Sequence, residues 1–302
     1  MDQSRNSLPI LSVDIGNSGL RLTELDINQR RFGTTTRVNW TLDHGEPLSR
    51  QTANNSFYRP HEAHWLAKIQ DYLAGNAAQW LISSVRRDAL QVLSSGLAEH
   101  AQHRVQVVVH SGIPLQMNVD RPDRVGVDRL LAAFAACNVC NERPIIVIQA
   151  GSAITVDLVQ GPANDTDQQM SGNDHNRGST SQDNPGCPST NLDSFEGGAI
   201  LPGVPMMLRL LASVADRLPE LEADELLDFA TLPGKSTEQA MQIGVAGAML
   251  GGVQSLVESY REQFGSQVPV ILGGGDGLRL APYITQPLHV RDNLVELGLM
   301  RL

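Results

Sequence analysis

Apolar residues recur along this chain of 302 residues with two periods, one of strands and one of helices. From Pro9 to Val13 branched apolar residues run with almost no polar break, which predicts a buried strand. Asp14 follows at the strand end, and Gly16, Asn17, Ser18 and Gly19 make a tight polar turn. Leu20-Arg21-Leu22-Thr23 then alternates as a second strand, so the unit is a β-hairpin with a carboxylate at its mouth. Arg30 to Arg59 is polar and irregular, with strand pieces around Thr35 to Leu42. Helical spacing marks Glu62 to Leu73 through Trp65, Ile69 and Leu73, and again Asp88 to His100. Gln79 to Val85 and Arg104 to His110 read as strands, and Pro114 to Arg124, with two prolines, as a loop. It leads into Val125-Gly126-Val127-Asp128-Arg129 and a small-residue helix through about Cys140.

The opening pattern then returns. Laying Pro9 on Pro144 places strand on strand, Gly16 on Gly151, Asn17 on Ser152 and Asp14 on Gln149, within Pro144-Ile-Ile-Val-Ile-Gln-Ala-Gly-Ser-Ala-Ile-Thr-Val-Asp157. A strand–glycine-turn–strand unit near the start of each half suggests two related half-molecules facing each other. From Gln160 to Ser194 hydrophobes almost vanish, and the expectation is a disordered insertion that cannot offset its ordering entropy. Phe195 to Gly203 is a strand with Pro-Gly before a helix through Leu218, and Glu220 to Phe229 is a short acidic amphipathic piece. Ser236-Thr237-Glu238-Gln239 resembles a capping box that opens a helix to about Phe264, with Gly265 as its stop. Gly244, Gly247, Gly251 and Gly252 weaken that helix, which makes sense where another backbone packs closely, a second subunit's included. Val268 to Leu272, a further strand from Leu288, and helical turns from Leu294 to Met300 complete a mixed α/β pattern.

The apolar fraction of 41% and the length suit two domains with substantial cores. A net charge of −10 speaks against a general nucleic-acid binder, which needs clustered Lys and Arg. No apolar stretch reads as long and clean enough to span a bilayer, and the polar N-terminus lacks a signal-peptide core, so the expected location is cytoplasmic with no membrane partner. Three cysteines, Cys137, Cys140 and Cys187, suggest reduced thiols; Cys137 and Cys140 have metal-ligand spacing without a second pair and sit better as small residues on a helix face.

Backbone N–H groups of a glycine turn can converge on a phosphate, and an acid beside the turn can hold a Mg²⁺ that bridges phosphate oxygens, usually through water. An ordinary hairpin with a turn Asp has the same pattern. Gly234-Lys235-Ser236 is no P-loop, because the motif's first glycine would fall at Phe229 after an acidic helical segment. Gly273-Gly274-Gly275 lacks the third glycine of a dinucleotide fingerprint, at Leu278, and fits a turn against an adenosine face or a plain turn. His61-Glu-Ala-His64 is one residue short of the zinc-protease helix motif. In Gly126-Val127-Asp128-Arg129 an acid and a base stand at a helix N-terminus, where Arg129 can clamp an anion and Asp128 can accept a hydroxyl proton; an N-capping Asp beside a surface Arg is the alternative.

Six stretches occur in order: Asp14 to Arg21, Ile82 to Val85, Gly126 to Arg129, Ala150 to Asp157, Gly197 to Gly203 and Gly234 to Ala240. Together they resemble type III pantothenate kinase, of the acetate kinase/Hsp70/actin superfamily. The resemblance implies an α/β fold of two RNase H-like (actin-like ATPase) domains, residues 1–116 and 117–302. Their mixed sheets would be flanked by helices with a nucleotide cleft between, and the second domain would carry the polar insertion at about 160–194. It further implies a homodimer that phosphorylates pantothenate with ATP at its primary hydroxyl, the first step of coenzyme A synthesis. By resemblance Asp14, Ile15, Gly16, Asn17, Ser18, Gly19, Leu20 and Arg21, with Ser152, would bind ATP, and Asp14 the Mg²⁺. Gly126, Val127, Asp128 and Arg129 would hold pantothenate, Asp128 as proton acceptor, and Thr237 of the neighbouring subunit would close over it. Two positions depart from the family. Gln149 stands where the family has an Asp at a K⁺ or NH₄⁺ site and offers a carbonyl oxygen but no charge; Val119 stands where the family tends to have a Tyr beside pantothenate. These departures leave open a catalytically silent nucleotide-binding regulator; the other alternative is a related kinase of the same superfamily acting on another small acceptor.

Overall fold

The computed structural model describes residues 8–39, 41–42, 58–59, 65–162, 192–222 and 232–302. The first sheet begins with β1 (Ile10–Ile15), β2 (Gly19–Asp26) and β3 (Arg31–Asn39), an antiparallel meander. A two-residue pair, β4 (Thr41–Leu42) and β5 (Tyr58–Arg59), stands apart from it. After α1 (Gln70–Leu73), β6 (Gln79–Ser84) runs parallel to β1, and after α2 (Arg87–Ala98), β7 (Arg104–Val107) runs parallel to β6. The strand order is β3-β2-β1-β6-β7.

The second sheet repeats this arrangement. A short β8 (Gln116–Met117) and α3 (Val127–Val139) precede the meander β9 (Ile145–Ala150), β10 (Ala153–Gln160) and β11 (Ser194–Pro202). Beyond α4 (Val204–Val214) and α5 (Thr237–Phe264), β12 (Val270–Gly273) lies parallel to β9. The turn of α6 (Gly277–Leu280) follows, then β13 (Leu288–Val290) beside β12, and α7 (Leu294–Met300) ends the chain. The order β13-β12-β9-β10-β11 mirrors that of the first sheet, with β8 added at its edge. Antiparallel 1-2-3 with parallel 4 and 5 on the other side of strand 1 is the RNase H-like arrangement, present twice.

The layers follow from where each element buries its apolar face. Ala89, Leu93 and Leu97, at helical spacing on α2, join Trp65, Ile69 and Leu73 against Val13, Ile15, Leu22 and Ile82 on one face of the first sheet. α3 is buried all round, through Leu130, Leu131, Ala132, Ala133, Ala135 and Ala136, because it lies with α7 between the two sheets. The outer face of the second sheet packs Ile148, Val156 and Val270 against Leu208 of α4 and Met241, Val245, Met249 and Val253 of α5. Five layers result: helices, sheet, α3 with α7, sheet, helices.

Several boundaries differ from the sequence reading. β3 is a full nine-residue strand inside the stretch read as irregular, because it completes the edge of the first sheet. Gln116 and Met117, in the proline-flanked loop, pair with Ser194 and Phe195. Before α1 the helical stretch is a 3₁₀ turn, Leu66–Ile69, and the helix after Gly203 ends at Val214. Strand β10 runs to Gln160 and β11 starts at Ser194, so residues 163–191 of the polar insertion, with Cys187, lie outside the described residues. So do residues 1–7, His61 to His64 and residues 223–229 of the acidic piece. The helix from Thr237 to Phe264 and its Gly265 stop are as expected, and Ser236 Oγ accepts from Gln239 N at 3.2 Å. One expectation is corrected: α5 is long and apolar enough to cross a membrane by length and composition, with a mean hydropathy of 1.4 over its best window. Its apolar stripe is spent on the second sheet instead.

The central layer has the tightest approach. A Cβ on Gly298 of α7 would stand 2.4 Å from the Leu131 carbonyl oxygen of α3. Gly298→Ala must push the two helices apart, and overpacking of this kind costs about 1–3 kcal/mol. Urea unfolding is expected to show that loss, and an unchanged midpoint would contradict the close crossing.

Candidate active site

Both glycine turns open at the same end of the central layer and touch. Ser152 Oγ of the second turn donates to Ser18 Oγ of the first at 2.6 Å. Each turn is closed by one backbone bond, Gly16 N to Gly19 O at 2.9 Å and Gly151 N to Ala153 O at 3.1 Å. The amides of Asn17, Ser18 and Ser152 donate to none of the described residues. Two loops of unspent N–H groups facing each other are a receptacle for phosphate oxygens.

Asp14 lies at the end of β1, directly across from Arg21 on β2 and Ser83 on β6. Its Oδ1 is buried and has no hydrogen-bond partner among the described residues. Burial, and then the neighbouring carboxylates of Glu296 and Asp128, push the Asp14 carboxyl up to about 8, against the pull of Arg21 and Ser83. Arg21 donates to Glu296 Oε1 at 2.9 Å and to the Asp292 carbonyl at 3.1 Å, so the first hairpin is tied to α7. Arg37 stands across from Arg21 on β3, and the two arginines line a cavity of about 480 Å³ with Thr23, Thr35, Asp292 and Glu296.

The segment Gly126 to Arg129 begins α3, with Gly126 as N-cap and Asp128 in the first turn. Asp128 is thus not the capping residue. Its Oδ1 accepts from Arg129 N at 2.8 Å, and burial raises its carboxyl above the usual carboxylate range while that amide and the Arg129 charge pull against it. The Arg129 side chain turns away from solvent onto Asp157. Gln149 is paired with Thr155 across β9 and β10, and Gln149 Oε1 and Thr155 Oγ1 are both buried without a partner among the described residues. Val119 packs against Gly197.

The structure therefore gathers Asp14, the turn from Gly16 to Gly19, Arg21, Asp128 and Ser152 around one cleft, with Ile15 and Leu20 buried as strand residues behind it. Thr237 stays outside it. That residue is exposed at the start of α5, beside Lys235, whose amide donates to Gln239 Oε1 at 2.7 Å. The Gly234-Lys235-Ser236 stretch works as a helix cap, not as a P-loop. Among the described residues no group of three or more His, Cys, Asp or Glu is set to hold a metal ion. Cys137 and Cys140 are free, and burial pushes the Cys137 thiol up to about 12, which makes it inert.

Three participants went unread in the sequence. Glu296 and Asp157 are acids inside apolar runs, Leu-Val-Glu-Leu and Ile-Thr-Val-Asp-Leu-Val, and that anomaly was the available signal. Arg86 is buried, forks onto Asp88 and donates to the Asn17 carbonyl at 3.4 Å, which braces the first turn.

A family model described as type III pantothenate kinase matches residues 10–165 and 190–259. The chain belongs to the type III pantothenate kinase family. A member from Chromobacterium violaceum is 29% identical over 267 residues, 88% of this chain and 94% of that protein. One from Acidovorax ebreus is 25% identical over 299 residues, 98% of this chain and 96% of the relative. One from Rhodopirellula baltica is 31% identical over 199 residues, 65% of this chain and 60% of that protein. Among solved structures, the ethanolamine utilization protein EutJ from Carboxydothermus hydrogenoformans overlays with a TM-score of 0.46 at 11% identity, covering 98% of this chain and 93% of that one. The family's activity is the ATP-dependent phosphorylation of pantothenate in coenzyme A biosynthesis, and this chain is a kinase of that family.

The raised Asp14 carboxyl has a cost in stability. Folding lifts it from 3.8 to about 8, so the folded chain keeps a proton that the unfolded chain releases between those values. Stability therefore falls as pH rises through that window, by up to about 1.4 kcal/mol per pH unit. Asp14→Asn should be increasingly more stable than the parent as pH climbs from about 4 to about 8, with no further gain above. Urea unfolding over a pH series in EDTA reads this; a difference that does not vary with pH would refute it.

Proposed function

We propose that this chain phosphorylates pantothenate through the cleft between its two glycine turns, with Asp128 as the proton acceptor. The observation that carries this reading is the Ser18–Ser152 contact, which brings both turns together just past the strand that carries Asp14, itself coupled electrostatically to Asp128. The amides of Asn17, Ser18 and Ser152, with Arg21, would neutralise the phosphate oxygens of ATP. Gly126 to Arg129 would seat the acceptor at the N-terminus of α3, where the hydroxyl proton passes to Asp128 as the phosphoryl group transfers in line. Phosphoryl transfer asks chiefly for positioning and charge neutralisation, and these groups supply both.

Mg²⁺ with ATP fits the residues present, because Asp14 offers a buried oxygen without a partner among the described residues, within the electrostatic influence of Glu296 and Asp128. Bound there, the ion would neutralise charge on the transferring phosphoryl group. A monovalent cation, K⁺ or NH₄⁺, would be held by Gln149 Oε1 and Thr155 Oγ1, neutral oxygens of the kind that replace a K⁺ hydration shell. Val119 would face the acceptor with an apolar wall in place of an aromatic one.

The reading includes division of the chain near residue 116, with α7 returning to the first sheet, a cytoplasmic location, and a homodimer. Support for the dimer comes from α5: added Cβ atoms at Gly244 and Gly251, one heptad apart, meet nothing within 4 Å among the described residues. Ile200, Leu210 and Val214 on the neighbouring β11 and α4 are exposed. A partner covering this face would leave Thr237 of each subunit free to reach the other's acceptor.

The test is ADP release with ATP, Mg²⁺ and pantothenate in K⁺, NH₄⁺ and Na⁺ buffers. Turnover is expected, faster in K⁺ or NH₄⁺ than in Na⁺; equal rates in all three would remove the Gln149–Thr155 assignment, and none in any would remove the kinase. Asp128→Asn is expected to lower kcat by roughly 10²–10⁴-fold with the fold retained. Near-normal turnover would sink the role given to Asp128. Mixing Asp128→Asn with Thr237→Ala should restore part of the activity, since a mixed dimer holds one site with both residues intact. No recovery after subunit exchange would argue against Thr237 acting across the interface.

A further inference from the structure

Arg129 is held in a place built for it. Its Nε donates to Asp157 Oδ2 at 3.2 Å, and Nη2 donates to Asp157 Oδ1, so one edge of the guanidinium is taken by a carboxylate only 1% exposed. The guanidinium carbon also lies 5.5 Å from the centre of the Phe195 ring, over its face. On the neighbouring strand the residue opposite Asp157 is Gly198, where a Cβ would stand 2.5 Å from Asp157 Oδ1. A register shift between Asp157 and Val159 follows directly. A bulge and a glycine both serve to leave an acid room inside an apolar strand. The remaining Nη1 donates to none of the described residues.

We propose that Asp157 is the positioning residue for acceptor recognition: it grips Arg129 by the Nε–Nη2 edge so that the Nη1 end meets the acceptor's carboxylate. This rests on the reading of Gly126 to Arg129 as the acceptor site. An arginine has five donors in a rigid fork, and a carboxylate on one edge leaves donors on the other with a fixed direction. Asp157 also offsets the Arg129 charge, so the site selects a carboxylate by placement of donors more than by net charge. The acceptor is then anchored at its acidic end, which sets how its hydroxyl meets Asp128 one residue away.

The experiment compares pantothenate with its alcohol analogue, in which CH₂OH replaces the carboxylate, in the parent and in Asp157→Asn. The parent is expected to prefer the acid; no turnover of pantothenate by the parent would instead count against the functional reading itself. In Asp157→Asn, kcat/KM for pantothenate should drop roughly ten- to a hundredfold. The value for the alcohol and the KM for ATP should stay near those of the parent. Equal losses on acid and alcohol would mean a structural role only and overturn the proposal, as would an unchanged preference. If the Asn variant does not fold, Asp157→Glu keeps the charge and moves the fork by one methylene. It should show the same selective loss on the acid, and parent-like discrimination in that variant would overturn the proposal.

Discussion

α3 and α7 cross so closely that residue 298 has no room for a methyl group, and everything else about the cleft hangs on that crossing. α3 packs on β9, β10 and β12 of the second sheet and on β6 of the first, while α7 packs on β1. The pair is therefore the shared floor between two sheets that, among the described residues, make no hydrogen-bonded strand pair with each other. Their separation sets the gap between the glycine turns, and at that gap Ser18 and Ser152 meet. The same two helices bring Asp128 and Glu296 toward Asp14. A buried layer that fixes the domains and also carries charged groups of the site leaves little freedom to alter either.

Buried carboxylates dominate the electrostatics of the cleft. Asp14 feels the carboxylates of Glu296 and Asp128, Arg21 offsets part of that on Asp14 and Arg129 part of it on Asp128, and burial is the largest cause of the raised Asp14 carboxyl. Such an arrangement lowers the stability of the folded chain as pH rises. Arg129 is treated differently: it has its own carboxylate in Asp157, and its role is one of direction. Two arginines in one cleft thus work by different means, Arg21 through charge and Arg129 through geometry.

Much of this was legible in the chain. The hairpin from Pro9 and its echo from Pro144 were visible because fully buried strands are apolar runs and tight turns need glycine, both local demands. The capping residues of α5 were equally visible, since a cap is settled within one helical turn. Glu296 and Asp157 were not read because their partners lie 275 and 28 residues away, and an acid in an apolar run looks the same whether or not an arginine waits for it. The apolarity of α5 was understated. The helix is apolar enough for a bilayer, and only its stripe of Met241, Val245, Met249 and Val253 on the second sheet shows where that apolar surface goes.

Local sequence by itself determined the buried strands of the two hairpins, their glycine turns and the start of α5, while the order of six short stretches along the whole chain determined the family. The local features depend on residues within a few positions of one another, whose backbone preferences and side-chain alternation act without knowledge of the rest. Tertiary structure alone decided that the turns face each other, that the last helix returns to the first sheet, and that Arg129 is gripped by Asp157. Those outcomes depend on the packing of layers far apart in the chain, where the approach of α7 to α3 and the burial of charge are set by neighbours that the local pattern does not name.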